Sequence, residues 1–243
     1  MLSKKLLRAG SRYQLSPAAD SNSNLLTLAL PFNTSFGLSD VSPIIRGSGD
    51  SYNITTNDAS LDTTVQKFYG SSIKVGSPYA VSSRIRTSTS IPAFGSSNFC
   101  IESWIYVPSI GNNNIAIFYN HDDTDNGFQL LLLGSDSGQT RKLYFSGGGG
   151  GDITRSNNQV AENQWVHIAC TRSSNTLQLF INGVSITDVG GSVSTNFTLS
   201  RRADFFTQSE ATYNTVRVQD FRVYQGVAKY TANPFIPPGA MFT

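Results

Sequence analysis

Chemistry on this chain would have to come from few residues: the glutamates Glu102, Glu162 and Glu210, the histidines His121 and His167, and the thiols Cys100 and Cys170. Cleaving a glycosidic bond needs two carboxyl groups flanking it, about 5–10 Å apart depending on mechanism. Glu102 stands alone in its strand-like run, with Ser103 and Trp104 where a second acid would sit. Glu162 and Glu210 fall in loop-like contexts. A Ser-His-Asp relay needs its nucleophile on a strained turn, and no Gly-x-Ser-x-Gly elbow is present. His121 lies in a polar turn and His167 inside a strand-like run, so both read as structural. No catalytic residue is assigned.

The best metal candidate is the acidic turn running from His121 to Gly127. Calcium takes several oxygen ligands, and Asp122, Asp123, Asp125 and Asn126 would supply some of them. The spacing breaks the EF-hand pattern, because Thr124 occupies the third position counted from Asp122. Asx-Gly clusters also make turns with no metal, and that is the leading reading here. Gly147 to Gly151 is not a phosphate cradle, since no Gly-Lys-Ser/Thr follows it to open a helix. Such a run is expected to form a mobile or tightly bent connection. No metal or cofactor is assigned. Two cysteines are too few for a disulfide scaffold, and they read as buried thiols, with a single bridge left open.

The elements that must position these residues are strands. Glutamate, lysine and alanine are scarce, while Ser, Thr, Asn, Gly and β-branched residues abound, which disfavours helix. Hydrophobic residues make up 39% of the 243, enough to fill a core between two sheets. The formal net charge is +2, so no global field marks a nucleic-acid binder. The charge is uneven, because Lys4, Lys5, Arg8 and Arg12 all precede the first acid, Asp20. Residues 1–24 therefore read as a basic arm, and 25–243 as the folded domain. Lys4-Lys5 is followed by only two apolar residues before Arg8, which predicts no secretory signal. Apolar runs such as Leu130 to Leu133 are too short to span a membrane.

Strands are predicted over Leu25–Phe32, ending at or near Pro31, and over Ile73–Val75 and Ser83–Thr87. In Phe99–Pro108, Phe99, Ile101, Ile105 and Val107 share one face, while Cys100, Glu102, Trp104 and Tyr106 share the other. Bulk on both faces predicts an interior strand. Further strands follow at 115–119, 128–133, 142–146, 165–172 and 177–182. Asn182-Gly183 is a two-residue hairpin signal. The final run, 215–224, alternates imperfectly and predicts a bulge near Asp220.

Two phrases carry a resemblance: Trp165–Val184 with its polar turn, and Asp220–Tyr230 continuing to Asn233-Pro-Phe-Ile-Pro-Pro238. Together they resemble the laminin-G-like branch of the concanavalin A-like lectin/glucanase superfamily, in the form common in bacteriophage structural proteins. The resemblance covers roughly residues 25–238 and implies an all-β, two-sheet antiparallel jelly-roll sandwich with an N-terminal arm. Against that pattern, an extra Tyr69 stands between Phe68 and Gly70, and Ser103 replaces a large apolar residue.

What the resemblance implies is a binding or display scaffold and not an enzyme. The leading expectation is a bacteriophage virion protein, a capsid-decoration or tail-attached subunit made in the host cytoplasm. It would contact other virion proteins through Lys4, Lys5, Arg8 and Arg12. Phe205 and Phe206, in a stretch that departs from the family's short glycine-bearing turn, are candidate exposed anchors. The alternative is a module that binds host surface glycan. Tyr106, Tyr119, Tyr144, Phe205, Phe206 and Tyr213 are the aromatic pool for sugar stacking.

Overall fold

A computed structural model of the chain describes residues 20–76, 82–120, 126–147, 152–189, 191–209 and 215–239. Lys4, Lys5, Arg8 and Arg12 lie outside these residues, as do Tyr213, most of the acidic turn (121–125) and glycines 148–151. Among the described residues no helix is long and apolar enough to cross a membrane.

The first part of the chain supplies β1 (Leu26–Leu30), a single helical turn α1 (Ser42–Arg46), β2 (Ile54–Asn57), β3 (Ala59–Asp62), β4 (Ser72–Val75) and β5 (Ser82–Thr87). The middle supplies β6 (Phe99–Tyr106), β7 (Ile115–Asn120), β8 (Phe128–Leu132), β9 (Lys142–Gly147) and β10 (Asp152–Gln159). The last part supplies β11 (Trp165–Ser173), β12 (Thr176–Ile181), β13 (Val184–Ser185), β14 (Thr187–Val189), β15 (Asp204–Ser209) and β16 (Val216–Gln225).

These form two antiparallel eight-stranded sheets. The first runs β13-β12-β11-β6-β16-β4-β3, with β1 also paired to β16, and the second runs β14-β10-β9-β8-β7-β15-β5-β2. The expected jelly-roll sandwich is what the chain forms. β6 lies between β11 and β16, and both of its faces are buried as the double alternation requires. Phe99, Ile101, Ile105 and Val107 face the space between the sheets, among Leu, Ile, Val and Phe side chains of both. Phenylalanines dominate there: Phe99 stacks on Phe128 at 5.1 Å, and Phe94 meets Phe128 edge-on at 4.9 Å. Each buried aromatic or aliphatic side chain contributes about 1.5–3 kcal/mol.

The local signals act as their chemistry dictates. β1 stops at Leu30, one residue before Pro31. Asn182 and Gly183 take φ of 50° and 79° and fold β12 back onto β13. Register shifts between Gln219 and Arg222, and Asp220 takes φ of 50°, which is the expected bulge. Tyr69 also takes a positive φ, 57°, and its buried hydroxyl lies 2.9 Å from Asp220 Oδ2. The residue that disturbs the family pattern is thus held by the bulge.

Phe205 and Phe206 correct an expectation. Both are fully buried in the inter-sheet core and form no exposed anchor. Register shifts after Phe205, and Phe206 takes φ of 49°, so two consecutive side chains turn inward instead of alternating. Their rings meet Phe221 at 4.8 and 5.7 Å. Cys100 and Cys170 are free and buried. Cys170 packs in the inter-sheet core and Cys100 in the separate cluster on the other side of the first sheet, so they face opposite ways and do not pair.

Candidate functional site

Two concentrations of polar groups lie on the outer faces of the sandwich, one on each sheet. On the first sheet the centre is Glu102, projecting outward from β6. Lys229 Nζ lies 2.7 Å from its Oε1, Tyr224 hydroxyl 3.2 Å from the same oxygen, and His167 Nε2 3.2 Å from Oε2. Tyr230 hydroxyl donates to Oε2 as well, and the Arg222 guanidinium stands 3.7 Å from Oε1. The β16 bulge assembles this group, because it lets Gln219 and Asp220 serve the same outer face as Arg222. Gln219 staples the turn before β4, accepting from the Lys67 and Phe68 amides at 3.0 and 2.7 Å. Asp220 lies 3.4 Å from Arg222 and also receives Tyr69.

Asp20 joins the group from the far end of the chain. Its carboxylate lies 3.0 Å from Lys229 Nζ and also accepts from the Tyr224 hydroxyl. Residues assigned by sequence to the arm thus reach the domain surface at Asp20. Burial opposes ionisation of Glu102, but Lys229, the His167 hydrogen bond and Arg222 outweigh it and hold the carboxyl well below its usual range. Burial pushes the His167 pKa down, only partly offset by Glu102, so the imidazole is held neutral.

The segment after β16 closes over this cluster. Tyr230 and Phe235 stack at 3.6 Å with rings nearly parallel, Phe235 N donates to Gly183 O at 2.9 Å, and Trp104 Nε1 donates to Pro238 O at 3.1 Å. Glu102 is 2% exposed and His167 0%. An acid, a histidine and two tyrosines look like catalytic equipment, but here they face one another and the covering strap, leaving no side for a substrate. Their arrangement clamps Asp20 and the segment after β16 to the sheet.

The second sheet presents a different face. Phe118, Phe205, Leu130 and Phe128 point inward, so their neighbours point out. Pairing places Arg86 beside Asp204, Asp204 beside Tyr119, and Tyr119 beside Gln129 in one row across four strands. The next row sets Thr207 beside Ala116, Ala116 beside Leu131, and Leu131 beside Tyr144. Where the rows meet there is a cleft of about 340 Å³ lined by Asn114, Ala116, Tyr119, Gln129, Leu131, Asp204 and Thr207. Ala116 and Leu131 form its apolar floor, and they cluster with Leu133, with half-buried Tyr119 and Tyr144 packed against them. Arg86 holds Asp204 at both oxygens: NH2 lies 2.5 Å from Oδ2, and Nε donates to Oδ1. The carboxylate beside it raises the Arg86 pKa, mainly through that hydrogen bond.

A second cleft, about 550 Å³, opens between Asn24–Thr27, Asp50–Tyr52 and Gln225. Its cation, Arg46, is bound to the Leu26 carbonyl and to Ser42 Oγ at 2.9 Å. Gln225 is likewise engaged, by Thr27 at 3.0 Å and Pro92 O at 3.1 Å. Both side chains are thus engaged by partners within the chain.

Of the residues singled out by sequence, Tyr119 and Tyr144 come together, while Tyr106 sits on the other sheet against Trp165. Glu162 pairs with Arg141 at 2.7 Å, far from any second acid role. Among the described residues, no three His, Cys, Asp or Glu gather as a metal site. Asp20, Asp204, Asn114 and Gln129 were not singled out. Each lies on a different strand or segment from its partners, so no local spacing announces it.

Comparison with known proteins agrees with this architecture. A laminin-G-type family model of the concanavalin A-like lectin/glucanases superfamily matches residues 76–229. No curated protein sequence matches the chain. Among solved structures, the binding domain of botulinum neurotoxin DC in complex with SialylT superposes with a TM-score of 0.62 at 15% identity, covering 85% of this chain and 50% of that one. The binding domain of Paraclostridial Mosquitocidal Protein 1 gives 0.60 at 16%, covering 86% and 51%. A botulinum neurotoxin type C structure, concerned with cell entry dependent upon interaction with two ganglioside molecules, gives 0.61 at 14%, covering 84% and 49%. The chain spans about half the length of each, and at these identities the likeness is one of fold. The matched segment takes in more than half of the chain, and the chain belongs to the concanavalin A-like lectin/glucanases superfamily, in its laminin-G-type family.

Proposed function

We propose that this chain is a lectin-like, non-catalytic binding module that takes carbohydrate in the cleft on the outer face of the second sheet. The observation that carries this is the make-up of that cleft. Ala116 and Leu131 give an apolar floor, Tyr119 a ring, and Asn114, Gln129, Asp204 and Thr207 a polar wall. A sugar offers an apolar C–H face and a rim of hydroxyls, and a cleft with both surfaces satisfies both. Fold relatives studied with SialylT and with gangliosides support carbohydrate as the ligand class, although over domains of about twice this length. Hydrolysis would need a second carboxyl group in the cleft. Asp204 is the one acid among its lining residues, and Arg86 holds both of its oxygens.

The test is a glycan array probed with the full chain, followed by Tyr119→Ala and Tyr106→Ala. Losing the ring contact at Tyr119 should weaken binding by about tenfold or more, since a buried aromatic contributes about 1.5–3 kcal/mol. Tyr106→Ala, on the opposite sheet, should leave binding unchanged. Equal losses in both variants, or no glycan bound at all, would overturn the reading.

The setting we propose is a bacteriophage particle, on which the domain is displayed as a capsid-decoration or tail-attached subunit. Support comes from the likeness of Asp220–Tyr230 and the following segment to phage structural proteins. Association would run through Lys4, Lys5, Arg8 and Arg12, and removing residues 1–19 tests this without disturbing Asp20. Stoichiometric binding to purified particles by the full chain alone is the expected result. Equal binding by the shortened chain would remove the arm from the role.

A further inference from the structure

We infer that the cleft on the second sheet selects neutral saccharides, with Asp204 as the hydroxyl-accepting and specificity-determining residue and Arg86 as the residue that positions it. The inference rests on the carbohydrate-binding reading above and narrows its ligand class. A carboxylate offers about four lone-pair directions across its two oxygens. Arg86 fills one on each oxygen, through Nε to Oδ1 and NH2 to Oδ2. That fork fixes the plane and rotamer of Asp204 and leaves an acceptor direction on each oxygen for a ligand. Asp204 lines the cleft, whereas Arg86 does not. The cleft therefore meets the carboxylate, while the guanidinium beside it on β5 is engaged with that carboxylate and does not line the cleft.

Two adjacent hydroxyls of a sugar ring are the donors that such an edge accepts. The remaining wall, Asn114, Gln129 and Thr207, is uncharged; Asn114 Oδ1 already accepts from Gly134 N at 2.8 Å, and Gln129 and Thr207 carry groups that both donate and accept. An anionic sugar placed here would meet Asp204 with no cation among the lining residues to neutralise it. Arg155, a cation on the opposite flank, is paired across from Tyr144 on β10, one strand beyond β9 and two beyond β8. It borders the aromatic flank and does not line the cleft. Charge and hydrogen-bonding capacity thus agree on an uncharged, hydroxyl-rich ring.

The experiment uses matched pairs of methyl hexosides and methyl hexuronides, which share a ring and differ in carrying a hydroxymethyl or a carboxylate. Binding of each to the full chain is measured by calorimetry or saturation-transfer NMR. The hexoside of a pair should bind about tenfold or more tightly than its uronide. Asp204→Asn should cost the hexoside about tenfold, the worth of one hydrogen bond to a charged group, and should narrow the gap to the uronide. Thr207→Val removes a wall hydroxyl without touching the Arg86–Asp204 pair. It should weaken both ligands alike and keep the preference, which guards against a folding defect in the Asp204 variant. Uronides binding as well as hexosides would sink the inference while leaving carbohydrate binding intact. So would a neutral preference that survives Asp204→Asn. Failure of every hexoside, uronide and longer glycan to bind would overturn the functional reading itself, and this inference with it.

Discussion

Replacing Glu102 with glutamine tests whether the buried cluster is a clamp. The substitution keeps size and shape and removes one charge. It turns an acceptor-only group into one whose amide nitrogen faces donors from Lys229, Tyr224, Tyr230 or His167. Lys229 and Arg222, whose side chains are 8% and 5% exposed, then share only Asp20 and Asp220. Removing one partner of a buried ion pair costs about 3–5 kcal/mol, and the surviving Asp20 contact sets the expectation at the low end, about 3 kcal/mol. For a chain of this size, each kcal/mol moves Tm by about 2–4 °C, giving a fall of roughly 6–12 °C. Urea unfolding should show a lower midpoint at unchanged slope. Lys229→Met on the Glu102→Gln background should add less than it does alone, with a coupling of about 1–3 kcal/mol. A loss under about 1 kcal/mol, or strict additivity, would refute the clamp.

Three further outcomes follow from the same geometry. His167 is held neutral and Glu102 ionised, so both favour folding above their unfolded-state pKa values and lose that contribution as pH falls. Urea midpoints should therefore decline from about pH 6.5 as His167 begins to weigh, then more steeply below about pH 4.5 as Glu102 does. A midpoint flat from neutral to pH 4 would contradict both assignments. Gly183→Ala would bring a Cβ within 1.9 Å of Phe235 O at a φ of 79°, so it should destabilise by more than the roughly 1–2 kcal/mol of left-handed strain alone. Loss of Trp104 fluorescence environment should accompany it as the strap lifts. Native protein should show no thiol reaction with a disulfide reagent and two equivalents once unfolded, because burial pushes both thiol pKa values up.

Much of the fold was legible because its signals are local. Double alternation in Phe99–Val107, the Asn182-Gly183 pair and the broken alternation at Asp220 each depend on a few adjacent residues. The misses have a common physical origin. Phe205-Phe206 follows Arg201-Arg202 and breaks alternation, so it reads as surface, yet one positive φ at Phe206 turns both rings inward. β10, with the sequence DITRSNNQ, has little apolar pattern and is held as a strand by its pairing to β9. Asp20 meets Tyr224 across 204 residues of chain, a contact that no window of sequence contains. The cleft is of the same kind, since Tyr119, Gln129 and Asp204 become neighbours only when β7, β8 and β15 pair.

The two outer faces divide the labour according to what covers each of them. The segment after β16 is described as far as residue 239. It crosses the outer face of the first sheet, where Tyr230 and Phe235 pack beside Phe180 and Lys229 finds Glu102 and Asp20. Charge placed under that strap is matched within the chain, so it serves cohesion and offers nothing to a ligand. No described segment makes the equivalent crossing over Tyr119, Gln129 and Asp204. There a tyrosine and an amide stay half-buried at a cleft, beside a buried, paired carboxylate that lines it, instead of lying beneath a strap. Substitutions on the first face should therefore change stability and leave ligand affinity nearly untouched. Substitutions of Tyr119, Gln129 or Thr207 in the cleft should do the reverse, whereas breaking the largely buried Arg86–Asp204 pair should cost stability as well.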